Sequence, residues 1–166
     1  MTRRRREPGG ASQNPLTDPV CACATARQVA RVLTQWYDDR LRASGLEAPQ
    51  FALLMTLDKQ GPCSQVALGR RYALDKTTVS RNLKVLQRNG WIEASVATDR
   101  RERQFTLTTE GRQRLAAAKP EWKKAQDMLR SAMTSAQWDA MFEAFTIVTK
   151  AATNLQGTAP QKTRAR

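Results

Sequence analysis

This sequence contains no histidine, and it therefore lacks the commonest general base of enzymes and the commonest ligand of catalytic metals. It also contains no glycine-rich phosphate loop and no acidic cluster suited to a divalent cation. Without histidine, a structural zinc site would need Cys63 and a carboxylate among its ligands. We therefore predict no metal site, no cofactor and no enzymatic activity, with a cysteine peroxidase as the only catalyst worth considering.

Long apolar runs are absent, and acidic residues are scarce. No segment is apolar for long enough to span a membrane, and the arginines at 3–6 lack the apolar stretch of a secretory signal, so we expect a cytoplasmic protein without a membrane partner. Fifteen Asp and Glu face 28 Lys and Arg, which gives a formal net charge of +13. This excess favours polyanionic partners, although charge alone predicts only non-specific affinity.

The positive charge is concentrated in residues 63–114, which hold eleven Lys and Arg against five Asp and Glu. Within this stretch Asp75 is a good helix N-cap, and Gly90 is placed to end that helix in a left-handed conformation. The helix carries one apolar stripe: Val79, Leu83 and Leu86. Its other positions are polar or basic and are candidate DNA contacts: Lys76, Thr77, Thr78, Ser80, Arg81, Lys84 and Arg88.

A hairpin is predicted immediately after this helix. Strand-forming residues at 91–96 and 105–107 flank a polar turn that contains Asp99, Arg100 and Arg101. A basic helix fits the major groove of DNA, and an arginine-tipped hairpin fits the narrow minor groove or the phosphates beside it. The sequence therefore predicts a mainly α fold with a small two- to three-stranded β wing, which is a winged helix-turn-helix.

The other helices of such a motif are signalled upstream. Pro49 suits a helix start, and Gly61 with Pro62 suits a sharp stop. Ser64 can cap the next helix, and we include it among the candidate DNA contacts. Four residues are expected on the buried side of that helix: Val66, Ala67, Leu68 and Tyr72.

Together these features resemble regulators of the multiple-antibiotic-resistance (MarR) family. The wing is similar to the family's signature: Asp99, one residue, Arg101, five residues, then Leu107 and Thr108, ending near Gly111. The resemblance implies that Arg101 enters the minor groove and that Asp99 orients it. It also implies that five residues of the basic helix face the major groove: Thr77, Thr78, Ser80, Arg81 and Lys84. We expect a repressor, and a non-specific architectural DNA-binding protein is the alternative.

We divide the chain into a disordered basic arm (1–17), a single MarR-type domain (18–155) and a disordered basic tail (156–166). The DNA-binding lobe covers about 48–110. Helices for dimerisation cover about 18–44 and 109–155.

The long helices outside the lobe predict a homodimer. Asp18 and Pro19 suit the start of the first, and Thr134 and Gln137 suit a capping box before the last. Pro120 should bend or interrupt the helix between them. The last helix has a continuous apolar stripe: Trp138, Met141, Phe145, Val148, Ala152 and Leu155. A two-fold dimer through such faces predicts a palindromic double-stranded DNA operator with half-sites about 10 bp apart.

A small-molecule effector is also implied by the resemblance, because family members typically bind a phenolic or aromatic ligand between the DNA-binding lobe and the dimer helices. Five residues are candidates to line such a cleft: Trp36, Tyr37, Phe51, Met55 and Trp122. Aromatic residues at helical spacing are more often plain core, so this alternative stays open.

Cys23 is a candidate redox sensor. Counting back from Gln50 places Cys23 where the branch of the family that senses organic hydroperoxides keeps its reactive cysteine, and it places Tyr37 at one of that branch's tyrosine positions. Arg27 and Ala48 stand at the other tyrosine positions. Arg27 follows Cys23 by one helical turn and would stabilise a thiolate. A buried structural thiol is the competing interpretation.

Overall fold

The computed structural model describes residues 21–96 and 103–158, and it is mainly helical with one three-stranded antiparallel sheet. In this part of the chain the helices are α1 (Ala22–Leu41), α2 (Ala48–Gln60), α3 (Gln65–Tyr72), α4 (Lys76–Arg88), α5 (Thr109–Ser131) and α6 (Ser135–Thr158), with a 3₁₀ helix (Arg42–Ser44) after α1. The strands are β1 (Cys63–Ser64), β2 (Ile92–Val96) and β3 (Arg103–Leu107). The predicted fold class is confirmed.

Several predicted features lie outside the described residues: the arm at 1–17, Asp18 and Pro19, the wing residues Asp99, Arg100 and Arg101, and the tail beyond Thr158. Helix α1 begins at Ala22, with Cys21 in an extended conformation as its N-cap, so its start is later than the predicted one at Pro19. Helix α6 reaches Thr158, past the predicted domain limit at 155.

The sheet holds the hairpin against the lobe. Strand β3 lies in the middle, pairs with β2 on one side and with β1 on the other, and places Phe105 opposite both Ala94 and Cys63. Phe105 is buried and Ala94 is exposed. The base of the wing is thus fixed from both sides of β3.

The apolar core lies where α2, α3, α4, the sheet and the first half of α5 meet. The stripe predicted on α4 is fully buried, and each such side chain contributes about 1.5–3 kcal/mol of burial free energy. In α3, Leu68 is buried and Tyr72 half-buried, one helical turn apart, but Val66 and Ala67 are exposed, which corrects the prediction. The reason is geometric, because a helix of eight residues meets the core along one face only.

Helix α5 continues through Pro120, so of the two predicted effects, a bend or a break, the break is wrong. Pro120 is exposed, whereas Ala118 and Ala125 on either side of it are buried against neighbouring helices. Packing on both sides holds the helix together, and water can reach the carbonyl that loses its hydrogen bond. The predicted capping box before α6 is confirmed, because Thr134 and Gln137 exchange backbone-to-side-chain hydrogen bonds of 2.9 and 3.2 Å.

Candidate nucleic-acid interface

The N-terminus of α4 is fixed by Asp75. Its Oδ1 accepts hydrogen bonds from the amides of Thr77 and Thr78 at 2.8 and 2.9 Å, and its Oδ2 accepts one from the Thr78 hydroxyl at 2.7 Å. These donors, the Thr78 hydroxyl foremost, hold the pKa of the Asp75 carboxyl below its usual value. Asp75 is therefore an ionised cap at neutral pH, where it also complements the helix dipole.

The C-terminus of α4 closes in a Schellman motif, as Gly90 predicted. The Gly90 amide donates to the Gln87 carbonyl at 2.9 Å, and the Trp91 amide donates to the Leu86 carbonyl at 3.0 Å. Gly90 has a φ of 71°, the left-handed conformation that favours glycine. Both ends of the helix are thus set by local chemistry.

The outward side of α4 is a shallow basic groove of about 520 Å³. Six of the residues predicted to contact DNA line it: Lys76, Thr77, Ser80, Arg81, Lys84 and Arg88. Thr78, the seventh predicted position on the helix, is half-buried beside its cap. The structure therefore brings the predicted helical contacts onto one surface.

The cations of this groove have no acidic partner among the described residues. The four ion pairs among the described residues lie outside this groove: Arg42 with Asp39, Lys119 with Asp58, Lys123 with Asp127, and Lys124 with Glu121. The positive charge of α4 is therefore not neutralised within this part of the chain. Such a surface attracts phosphates and presents hydrogen-bond donors to base edges.

A second groove, of about 530 Å³, lies between α3, the start of α4 and β3. Ser64 lines it and accepts a hydrogen bond from the Ala67 amide at 3.2 Å, so the predicted cap of α3 is confirmed. Three cations surround the groove: Arg70, Lys76 and Arg103. Lys76 lines both grooves, so the basic surface extends from α4 to the base of the wing.

Comparison with known proteins agrees with this geometry. The sequence profile described as the MarR family matches residues 44–102. The crystal structure of the M. tuberculosis transcriptional regulator MosR in complex with DNA aligns with a TM-score of 0.74 at 32% identity, over 81% of this chain and 98% of that one. The chain belongs to the MarR family.

Two further transcriptional regulators extend the comparison. The uncharacterized HTH-type transcriptional regulator YwoH of Bacillus subtilis is 31% identical over 83 residues, which span 50% of this chain and 61% of YwoH. The Streptomyces coelicolor regulator PcaV, crystallised with its natural ligand, has the same fold, with a TM-score of 0.72 at 20% identity over 86% of this chain and 99% of that one. As a MarR-family member, the chain is a DNA-binding transcriptional regulator and not an enzyme.

Three of the five residues predicted for a MarR-type effector cleft lie together. Phe51 of α2 stacks on Trp122 of α5, with ring centroids 5.6 Å apart and an interplanar angle of 25°. Both rings and Met55 line a cleft of about 260 Å³. Lys59 and Arg71 also line it, so the cleft combines apolar and cationic groups.

Trp36 and Tyr37, the other two candidates, connect α1 to α5 instead. The Trp36 indole N–H donates to the Ala125 carbonyl at 3.3 Å, and the Tyr37 hydroxyl donates to the Gln126 side chain. Burial raises the pKa of Tyr37, so its hydroxyl stays a donor at neutral pH. The lining residues of the cleft do not include either side chain.

The three cysteines are free thiols in different surroundings. Cys21 and Cys23 are exposed at the start of α1, so the competing interpretation of Cys23 as a buried structural thiol is wrong for the described residues. Cys63 is buried in strand β1 of the sheet. Tyr37 lies fourteen residues after Cys23 on the same helix, about 21 Å along its axis, so the two side chains of one chain cannot touch. Among the described residues, no group of three His, Cys, Asp or Glu is placed to hold a metal ion.

Sequence reasoning missed some residues of these surfaces. Lys59 follows Met55 by four positions in α2, so it shares a helix face with a residue already chosen for the cleft, and this spacing was a usable signal. Arg71 and Arg103 gave no such signal, because their places depend on how α3 and β3 pack against other elements. Over the described residues, no helix combines the length and apolarity needed to cross a bilayer.

Proposed function

We propose that this chain is a homodimeric repressor that reads a palindromic operator in the cytoplasm, with α4 in the major groove of each half-site. The observation that carries the proposal is the groove along α4, where Lys76, Arg81, Lys84 and Arg88 have no acidic partner among the described residues. Polar side chains between these cations, such as Thr77 and Ser80, supply further hydrogen-bonding groups for base edges.

Exposed apolar side chains support the dimer. On α6, Phe142 and Phe145 are 48% and 44% exposed, and Ile147 and Val148 are 59% and 58% exposed. Val32 on α1 is 59% exposed as well. Surfaces of this kind mark protein contacts, and a second copy of the chain is the partner that two-fold recognition of a palindrome requires.

The wing is the second reading element in this proposal. Strands β2 and β3 lead into and out of the segment that holds Asp99, Arg100 and Arg101, and Arg103 at the start of β3 lies on the basic surface beside α3. We propose that Arg101 enters the minor groove and that Asp99 orients the Arg101 side chain.

A small aromatic acid is the proposed effector. The stacked rings of Phe51 and Trp122 line the cleft and offer an apolar surface for a ring, and Arg71 and Lys59 offer positive charge for a carboxylate. The cleft joins α2 and α3 of the DNA-binding lobe to α5, so a ligand there would contact both parts of the protomer. A shift between these parts would change the position of α4 and release the operator.

Footprinting on the DNA that flanks the protein's own gene tests the proposal. We expect protection of a palindrome by the wild-type protein, and loss of that protection when hydroxybenzoates are added. Equal affinity for any duplex, with no protected palindrome, would instead identify a non-specific architectural protein.

A thiol switch at Cys23 is the second candidate for control of the operator. Its support is the exposure of Cys23 in the first turn of α1, next to the exposed Cys21. The pKa of the Cys21 thiol is lowered, mostly by the amide of Ala24 and less by the amide of Cys23. Neither amide forms a full hydrogen bond to the sulfur. Two accessible thiols at one helix end suit a reaction with an organic hydroperoxide.

A further inference from the structure

The first turn of α5 lies directly against the residues that end α4. A methyl group at Gly111 would place its carbon 1.9 Å from the carbonyl oxygen of Trp91 and 2.8 Å from the carbonyl carbon. Both atoms belong to the main chain, so no side-chain rotation would relieve the overlap. Gly111 does not have a positive φ, so glycine is required here by space rather than by conformation.

Thr108 joins the same two helices by hydrogen bonds. Its amide donates to the Trp91 carbonyl at 3.2 Å, and its hydroxyl donates to the Gly90 carbonyl at 2.7 Å. The same hydroxyl accepts from the Gly111 amide at 3.0 Å, which makes Thr108 the N-cap of α5. The Thr108 side chain thus caps the N-terminus of α5 and also hydrogen-bonds to Gly90, the residue that ends α4.

The Trp91 side chain gives this junction a third contact. The ring is buried, and the Arg114 guanidinium of α5 lies 5.2 Å from its centroid. Arg114 also donates to the Ser44 carbonyl at 3.0 Å, at the end of the 3₁₀ helix that follows α1. Main-chain and side-chain contacts therefore hold Trp91 on α5.

We propose that Gly111 and Thr108 are positioning residues for DNA reading, because they fix α4 to α5 so that the two helices move as one body. The inference rests on the proposed role of α4 in the major groove. Helix α5 also packs on α1, part of the proposed dimer region, so this junction sets both the angle of α4 and the distance between the two copies of α4.

The size of the disturbance follows from the overlap. Carbon β atoms essentially never lie within 3.0 Å of such neighbours, so Gly111→Ala must separate Trp91 from α5 by about 1 Å or more. Hydrogen bonds to base edges tolerate only a few tenths of an ångström, whereas attraction to phosphates varies slowly with distance. We expect specific affinity to fall by about 10- to 100-fold and non-specific affinity to stay within about 2-fold.

Three full-length variants test this: Gly111→Ala, Thr108→Val and the control Gln113→Ala, an exposed position on the next turn of α5. Binding is measured to the duplex that the wild-type protein selects from a random pool, to a scrambled duplex, and to duplexes whose half-site spacing is changed by one base pair. Thr108→Val, which removes the hydroxyl at nearly constant shape, should lower specific affinity by about 3- to 10-fold. Both variants should shift the preferred spacing, and Gln113→Ala should not.

Wild-type specificity and spacing in Gly111→Ala and Thr108→Val would overturn the inference while leaving the proposed function intact. A fall of specific and non-specific affinity by the same factor would also overturn it, because that pattern indicates loss of folded protein. If Gly111→Ala does not fold, Thr108→Val decides. A wild-type protein that selects no duplex would contradict the proposed function itself.

Discussion

Asp75 and Thr78 are joined by two hydrogen bonds at the start of α4, one from the Thr78 amide at 2.9 Å and one from its hydroxyl at 2.7 Å. The helix that carries the basic groove therefore begins at an ionised cap. Because the bonds favour the carboxylate, the pKa of Asp75 is lower in the folded protein than in the unfolded chain.

This difference predicts how stability depends on pH. A carboxyl group whose pKa is lower in the folded state stabilises the protein at pH values above its unfolded-state pKa. This stabilisation is lost as the pH falls through the folded-state pKa. Asp75→Asn keeps a good N-cap but removes the charge. Thermal unfolding from about pH 7 to about pH 3 should show a melting-temperature gap between wild type and Asp75→Asn that narrows toward acid. A gap that is constant with pH would show that ionisation of Asp75 does not contribute.

Direct reading of bases is tested on α4. Arg81→Ala should lower specific affinity by about 1–3 kcal/mol and relax preference at one position of each half-site. Lys84→Ala should weaken all sequences alike and reduce the salt dependence, as loss of a phosphate contact does. Lys123→Ala is the matched control, because Lys123 pairs with Asp127 on α5 away from the groove. Unchanged operator affinity in Arg81→Ala would show that α4 is not the helix that reads the bases.

The parts of this fold that the sequence predicts well are those set by neighbours along the chain. Asp75 and Gly90 delimit α4 because caps act within a few residues. Strand β1, at Cys63, and the exposed position of Val66 were not assigned from the sequence. Both depend on partners distant in the sequence, since β1 exists only through its pairing with β3.

The candidate sites divide in the same way. The groove of α4 follows from helical periodicity, so its cations were named correctly as one face. The candidate effector cleft needs the packing of α2, α3 and α5, and the family resemblance placed Trp36 and Tyr37 there together with Phe51. The contact of Gly111 with Trp91 is also tertiary, and the sequence shows Gly111 only as the residue that ends the wing signature.

The dimer prediction uses α6. Phe145 and Val148 are exposed, so Phe145→Asp with Val148→Asp would place charge in the proposed interface and, within the described part of the chain, would remove only the edge contact of Phe145 with Phe142. Trp138 is unsuitable for this test, because it is buried within the protomer against Phe142. Sedimentation should show monomers, and operator affinity should fall by about 100-fold or more as bivalent binding is lost. The exposed control Glu143→Gln should remain dimeric. A wild-type monomer that binds a palindrome tightly would contradict the interface.

The effector prediction depends on charge at the cleft. Hydroxybenzoates should release the operator and their uncharged methyl esters should not, because Arg71 and Lys59 need a carboxylate partner. Arg71→Gln should raise the concentration for half-release by about 10-fold or more. Lys124→Gln serves as control, since Lys124 pairs with Glu121 on α5 and does not line the cleft. Equal release by acid and ester would indicate an apolar effector.

The last prediction concerns the thiols. Burial raises the pKa of the Cys63 thiol, an effect that Arg71 opposes only in part, whereas Cys21 has a lowered pKa and is exposed together with Cys23. A limiting amount of thiol reagent at neutral pH should therefore label Cys21 and Cys23 before Cys63. Mass spectrometry of the digested protein gives the order. Labelling of Cys63 first would show that the sheet opens readily around it.

If Cys23 is the switch, organic hydroperoxide should release the operator from the wild type and from Cys63→Ser, but not from Cys23→Ser. Cys21 is not expected to substitute, because it lies before α1 in an extended conformation, whereas Cys23 lies in the first turn of the helix. Cys21→Ser separates the two exposed thiols, since it should still respond if Cys23 alone reacts. Operator release that persists in Cys23→Ser would show that Cys23 is an exposed residue without a role in control. Binding of an aromatic acid near Arg71 would then explain better how the operator is released.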